Sequence, residues 1–429
     1  MPKKFIGGMS LFAALLAVSV VAEAAPAERL TFTKDILPIL QENCVRCHRT
    51  GGDNIAGMIA PMSLTSYQEV RPWAKAIAKA VSSRKMPPWF ADDKTHGVFK
   101  NERTLGDEDI ETIVAWTQSG VARGNPKDAP TPVTFQSSNG WLTGEPDLVV
   151  RLPEAYFVED DVDDLYVSFV TEPISRENLP ETTWLRSIEW RGDSDVVHHI
   201  VGSASVEGEK TASGFPRRNS LGSIAPGEEG TNFPEGYGKL LDADSKIHFS
   251  MHYHKEAGPG TGKYDQSMVG FRFWDKDKDP AIVHPVSRNG ISHRSFEIPP
   301  GHGNWEVGAS KTFDVDTTIL SLHPHMHLRG KDAEYIAYYP DGTQETLVTV
   351  PKFDFNWQLD YFYDEPKQVP AGTRVEFTVH YDNSTANEYN PDHTIPMSWG
   401  GPTTSEMMIG YISYTGTEPV DPAADDSTD

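Results

Sequence analysis

The sequence predicts a multidomain protein: an N-terminal all-α unit followed by two all-β antiparallel sandwich domains of jelly-roll-like type. Three observations predict this. Apolar residues at helical spacing, such as Ile110, Ile113, Val114 and Thr117, are confined to the first part of the chain. Gly124-Asn125-Pro126-Lys127-Asp128-Ala129-Pro130-Thr131-Pro132 is a linker by composition. Beyond it, runs such as Asp147 to Leu152, Tyr166 to Val170, Trp184 to Trp190 and Ile247 to Tyr253 are short, β-rich and broken by Gly, Pro and Asp.

The chain has 429 residues, 38% of them hydrophobic, enough for two or three domains with separate cores. Its charge, 38 − 62 = −24, repels nucleic acid and anionic lipid. No nucleic-acid partner is expected.

Residues 1–24 read as an export signal peptide. Lys3 and Lys4 form a basic region, Phe5 to Val21 an apolar one, and Ala22-Glu23-Ala24 an A-x-A cleavage site. No later segment is apolar enough to cross a membrane. The mature protein is expected to be soluble, in the periplasm of a bacterium or secreted, with no membrane span. Cys44 and Cys47 are its two cysteines, so it has no disulfide framework.

Residues 25–130 form the first unit. Thr33 to Leu40 reads as a helix start leading into Cys44-Val45-Arg46-Cys47-His48, the C-x-x-C-H signature of c-type haem attachment. Two thiols on one turn can bond the two vinyl-derived carbons of one haem edge, and His48 then lies under the iron. A structural zinc needs two more nearby ligands, and no second C-x-x-C exists. Met86 is the expected sixth ligand. A helix over Val70 to Ser83 should stop at Pro87-Pro88, holding Met86 in an extended loop. Met58, Met62 and His96 are its competitors. A His/Met pair raises a haem's potential, which suits an electron carrier. Asp107 to Asp109 fit the first turn of a final helix running to Ser119. The unit resembles a single-haem cytochrome c over most of residues 30 to 125.

Two β domains are expected, over 135–285 and 286–420, followed by a disordered acidic tail over 421–429. A faint repeat supports the pair. Lys246 to Tyr253 parallels Thr373 to Tyr381, and each ends in His-Tyr.

In the second β domain lies Ser321-Leu322-His323-Pro324-His325-Met326-His327-Leu328-Arg329-Gly330. On a strand, His323, His325 and His327 share one face. Neutral imidazoles fanned this way suit Zn, Cu, Fe or Ni. In the first β domain, His198 and His199 are neighbours, which can bind one metal only at a bulge or strand end. His252-Tyr253-His254 lies downstream and offers a third imidazole. His248 and His254 are second-shell candidates. His284, His293, His302 and His393 lie in polar loops, and His380 is a repeat relic or a packed residue. Glu406-Met407-Met408 supplies thioethers, soft donors that favour Cu(I).

With these motifs in order, residues 140 to 415 resemble the copper type II, ascorbate-dependent monooxygenases, peptidylglycine α-hydroxylating monooxygenase and dopamine β-monooxygenase. The carrying residues are His198-His199, His252-Tyr253-His254, the H-x-H-L-x-G run from His325 to Gly330, and Glu406-Met407. The resemblance implies two copper ions per chain, one held by His198, His199 and His252 for electron transfer, the other by His325, His327 and Met407 for O₂ activation. It implies hydroxylation of a C–H bond of a small-molecule or peptide substrate. Electrons would come from one covalent haem c, itself fed by an ascorbate-like reductant or another cytochrome. The rivals are a copper/haem electron-transfer protein and an oxidase reducing O₂ or peroxide. The chain departs from those enzymes in lacking their disulfides, in carrying the haem unit, and in offering His323 and Met408 as alternative ligands. Their substrate-binding residues do not transfer.

Overall fold

The computed structural model describes residues 29–416 except 54, 56–59, 136–139, 211–216, 226 and 276–283, together with Met1. The expected signal peptide, the acidic tail and Met58 lie outside the described residues.

The fold expectation needs correction. Strands hold 38% of the chain and helices 13%, so a substantial all-α N-terminal domain is not seen. The helices before residue 120 are short: Leu37–Asn43, Tyr67–Val70, Ala74–Ser82 and Asp107–Gln118. Proline is the reason. The helix expected over Val70 to Ser83 is broken by a 3₁₀ turn, Arg71–Trp73, with Pro72 inside it. The next helix, Ala74–Ser82, stops well before Pro87-Pro88, Arg84 takes a positive φ of 51°, and the next helical turn, Asp93–Thr95, has three residues.

The segment that follows Pro88 leaves the helices altogether. Trp89, Ala91 and Phe99 are buried in a β core with Tyr361 and Tyr363. Phe99 bridges Tyr363. Lys100 N–H donates to the Phe362 carbonyl at 2.9 Å, and Asp364 N–H to that of Val98 at 3.0 Å. Leu40, Ile113 and Trp116 centre a smaller core under the helices.

Four sheets make up most of the rest. One is ordered Leu148–Arg151, Met268–Phe273, Thr183–Arg191, Tyr237–Leu241, His284–Pro285, with Thr231–Asn232 alongside. The second is Asp164–Val170, Lys246–His254, Val197–Ser205, Asn219–Ile224. The third is Ser287–Ser292, Ile409–Gly416, Thr317–His325, Tyr361–Val369, and the fourth Trp305–Thr312, Arg374–Tyr381, Gly330–Tyr338, Gln344–Val350. Trp190 and Phe271 of the first sheet meet Phe249 and Met251 of the second in one core. Leu322 and Ile412 of the third meet Tyr335 and Phe377 of the fourth in another.

The sheets take a propeller-like arrangement rather than that of two separate sandwiches. The seam between the cores is itself packed. Leu320, from the third sheet, is buried in the first core, and His284–Pro285 runs parallel to Tyr237–Gly238. The two segments of the faint repeat occupy matching places. Lys246–His254 and Arg374–Tyr381 each stand second in a four-stranded sheet, paired on both edges. Each alternates buried and less buried residues over most of its length, as a strand facing one core must.

Candidate metal centres

His198 and His199 open the strand Val197–Ser205. Its pairing with Lys246–His254 shifts between Val197 and His199, so His198 is the extra residue of a bulge. A bulge is what lets neighbouring side chains turn to one side. His199 then stands directly opposite His252. Nδ1 of His199 lies 3.4 Å from Nδ1 of His198 and 3.1 Å from Nδ1 of His252.

Three nitrogens held at ~2.0 Å from one ion in a trigonal plane would lie ~3.5 Å apart. The cluster fits an ion with a small expansion. His252 is fully buried, its Nε2 hydrogen-bonded to Asp164 and its ring stacked on Tyr166 at 4.1 Å and 7°. A carboxylate on the far nitrogen is the usual support for a ligating imidazole. Burial pushes His198 down to about 3 and His199 well below its ordinary value. The rings are therefore neutral, as ligands must be. His254 stays more than half exposed at 3.6 Å from Asp164, outside the converging set. His248 donates to or accepts from Ser205 Oγ at 2.7 Å, several residues away along the strand.

The second set stands at the end of Thr317–His325. His325 is the last residue of that strand, and His327 lies past it, so the expected three-histidine strand face is not formed. The rings of His325 and His327 are 5.3 Å apart and perpendicular. Nδ1 of His325 bonds Gln358 Oε1 at 2.6 Å, and Nδ1 of His327 bonds the Ser405 carbonyl at 3.2 Å. With a proton on each Nδ1, both rings keep an Nε2 lone pair free. Glu406 ties down the turn, accepting N–H bonds from His327 at 2.9 Å and Arg329 at 2.7 Å. Burial raises its carboxyl to about 8.

Met407 and Met408 separate by burial. Met408 is fully buried in the core with Tyr335 and Phe377, whereas Met407 is half-buried outside it. The register pairs His323 with Tyr411 and His325 with Ile409. Two imidazoles with free Nε2 atoms suit an ion of the Zn, Cu, Fe or Ni class.

His323 does not join either set. It is 2% exposed, with Nδ1 at 3.2 Å from Glu228 and 3.8 Å from Asp360. Between the two histidine sets stands Phe355, whose ring stacks on His198 at 5.1 Å and meets His327 edge-on at 6.1 Å. Sequence reading missed Phe355, Asp164, Gln358 and Tyr166. Each reaches its histidine only through the fold, and no local pattern marks it.

In the N-terminal part, His48 N–H closes a turn onto the Cys44 carbonyl at 2.9 Å. Cys44 and Cys47 are free thiols, half-buried on that turn. Burial pushes Cys44 up to about 12. Nδ1 of His48 lies 3.2 Å from the Met62 carbonyl, which leaves Nε2 available to a metal. Met62 is thus tied to His48 through its backbone. Met86 is half-buried just before Pro87, and His96 pairs with Glu102 at 2.5 Å. The two thiols and the imidazole fit covalent haem attachment. His380 pairs with Asp332 at 2.6 Å, which gives it a structural role on the fourth sheet.

No protein-family model matches the chain. It is similar to DBH-like monooxygenase protein 1 of Gallus gallus, 24% identical over 161 residues. That alignment covers 36% of this chain and 23% of the chicken protein, so the chain spans under a quarter of its relative's length. Among solved structures, the major capsid protein P2 of bacteriophage PM2 is 9% identical, covering 65% of this chain and 100% of that chain, with a TM-score of 0.23. The cowpea mosaic virus top component is 8% identical, covering 65% and 92%, with a TM-score of 0.29. Likenesses this weak carry no argument. Among the described residues, no helix is long and apolar enough to cross a membrane.

Proposed function

We propose that this protein is an exported copper-dependent monooxygenase that hydroxylates a C–H bond of a small-molecule or peptide substrate with O₂. The observation that carries the reading is the pairing of two neutral imidazole sets across one aromatic ring, His198, His199 and His252 on one side and His325 and His327 on the other. Copper at these sites would supply O₂ activation and single-electron transfer.

The chain's own residues have definable parts. His198, His199 and His252 bind through converging Nδ1 atoms, and Asp164 fixes the His252 ring. Gln358 and the Ser405 carbonyl hold protons on Nδ1 of His325 and His327, directing Nε2 to the ion. Met407 offers the thioether that favours the reduced metal. Phe355 touches both sets, stacked on His198 and edge-on to His327. Cys44 and Cys47 would hold a covalent haem, with His48 and Met86 as the side chains offered to its iron, and the haem would supply single-electron transfer. Tethering an electron donor on the same chain raises its effective concentration. The external electron donor would be an ascorbate-like reductant or another cytochrome. The Lys3 to Ala24 segment directs the chain to the periplasm or beyond.

The test is ¹⁸O₂ turnover by copper-loaded protein with a reductant against a panel of peptides, amines and lipid-derived compounds. One labelled oxygen atom per product molecule is the expected result. Steady O₂ consumption without labelled product would establish an oxidase instead. Reversible reduction without O₂ consumption would establish an electron-transfer protein.

A further inference from the structure

A second cluster of ligand-type side chains lies buried in the seam between the two β cores, away from both histidine sets. Glu228 follows the strand Asn219–Ile224, His323 stands in Thr317–His325, and Asp360 immediately precedes Tyr361–Val369. They are 3%, 2% and 7% exposed. One ligand atom from each lies within 4.8 Å of the others.

Each of the three is held from behind and open in front. Glu228 Oε2 accepts the Ala225 N–H at 2.6 Å, leaving Oε1 with no hydrogen bond and 3.6 Å from an Arg288 guanidinium nitrogen. Asp360 Oδ1 accepts from the Arg288 guanidinium at 2.9 Å, leaving Oδ2 toward His323. The His323 ring lies in hydrogen-bonding reach of the Leu359 backbone, and its Nδ1 has no hydrogen bond. Outer partners that orient inner donors in this way are the signature of a metal site's second shell. His323 Nδ1 faces Glu228 Oε1 at 3.2 Å, and neither atom has a hydrogen bond.

We propose that Glu228, His323 and Asp360 bind a structural divalent cation of the manganese, iron or zinc class. One imidazole and two carboxylates, with no sulfur, make a harder donor set than either histidine cluster offers. Arg288 offsets part of the carboxylate charge and orients Asp360, the role an outer partner plays. A cavity of about 100 Å³ lined by Lys100, Arg103, Glu228, Glu229 and Asp360 gives the ion a way in. Because Glu228 belongs to the first β core's side and His323 and Asp360 to the second's, the ion would tie the two together. It would also brace the N-terminal turn, since Glu229 holds Arg46 of the C-x-x-C-H run at 2.9 Å.

The experiment uses full-length protein freed of metal by chelation and titrated with Mn²⁺, whose free six-line EPR signal falls as it binds. One Mn²⁺ per chain is expected, with a rise in melting temperature. Both should survive in His198→Ala and His327→Ala, which remove the imidazole sites. Both should be lost in Glu228→Gln and, independently, in His323→Asn, with circular dichroism reporting whether each variant folds. Absence of Mn²⁺ uptake by the parent protein would overturn the proposal. So would equal uptake by the parent and a folded Glu228→Gln or His323→Asn. The outcome does not depend on the oxygen chemistry proposed above.

Discussion

Single residues decide what each histidine can do. Asp164 is the clearest case, because it touches His252 on the nitrogen turned away from the cluster. Asp164→Asn should keep the fold and weaken copper at the three-histidine site by roughly 10–100-fold, measured by competition with a chromogenic chelator. Loss of copper from the other site instead would place Asp164 elsewhere in the design. The two neighbouring methionines make a matched pair of tests. Met408 fills the core, so Met408→Ala should cost about 2–4 kcal/mol in urea unfolding with metal content unchanged. Met407→Ala should cost under about 1 kcal/mol, as a half-buried residue outside the core. It should instead remove the sulfur scatterer from the Cu(I) X-ray absorption of the protein. The reverse pattern would mean that Met408 is the donor.

At the scale of elements, irregularities position the site. A regular strand would send His198 and His199 to opposite faces, and the register shift between Val197 and His199 removes that constraint. The strand Thr317–His325 stops one residue before Met326, and Glu406 holds the following turn by two backbone N–H bonds. The segment after Pro88 matters for a different reason. It gives Trp89 and Phe99 to a core otherwise built from the third and fourth sheets. Phe99→Ala should therefore destabilise the β core, by about 3–5 kcal/mol, rather than the helices. Hydrogen exchange would show this as lost protection in Tyr361–Val369. Loss of protection confined to the helices would contradict the packing described here.

At the scale of the molecule, the seam between the two β cores is charged rather than oily. Glu228, His323 and Asp360 are buried there beside Arg288, and burial, with the Arg288 charge added, pushes the neighbouring Lys239 ammonium down to about 8. The sign follows from linkage. Between pH 8 and the ordinary lysine value of 10.5 the folded protein binds fewer protons than the unfolded chain, so this group's contribution to stability rises with pH over that window. Below pH 8 its full cost is present, on the order of 3 kcal/mol. Lys239→Met should be more stable than the parent at pH 7.5 by an amount approaching that, and the advantage should shrink by more than half at pH 10. A difference independent of pH would place the desolvated charge elsewhere.

The sequence by itself determined what depends on neighbours along the chain. The C-x-x-C-H turn, the final helix before the linker and the β runs around Tyr166, Trp184 and Ile247 are local patterns, and each forms an element where its pattern stands. The condition that His198 and His199 need a bulge was also legible, because it follows from the two-residue period of a strand. The all-α first domain was not legible correctly. Helical spacing says that a turn can form, but not that a proline will cut it short or that Trp89 and Phe99 will be claimed by a distant sheet. Only the tertiary structure brought Asp164 to His252 across 88 residues and Gln358 to His325 across 33. It also turned His323 away from its two neighbours toward Glu228, and set Phe355 between the two histidine sets. Such contacts are chosen by sheet order and core packing, whose free energy comes from apolar burial over many residues. A polar or aromatic side chain carried to its partner in that way leaves no period or motif in the sequence.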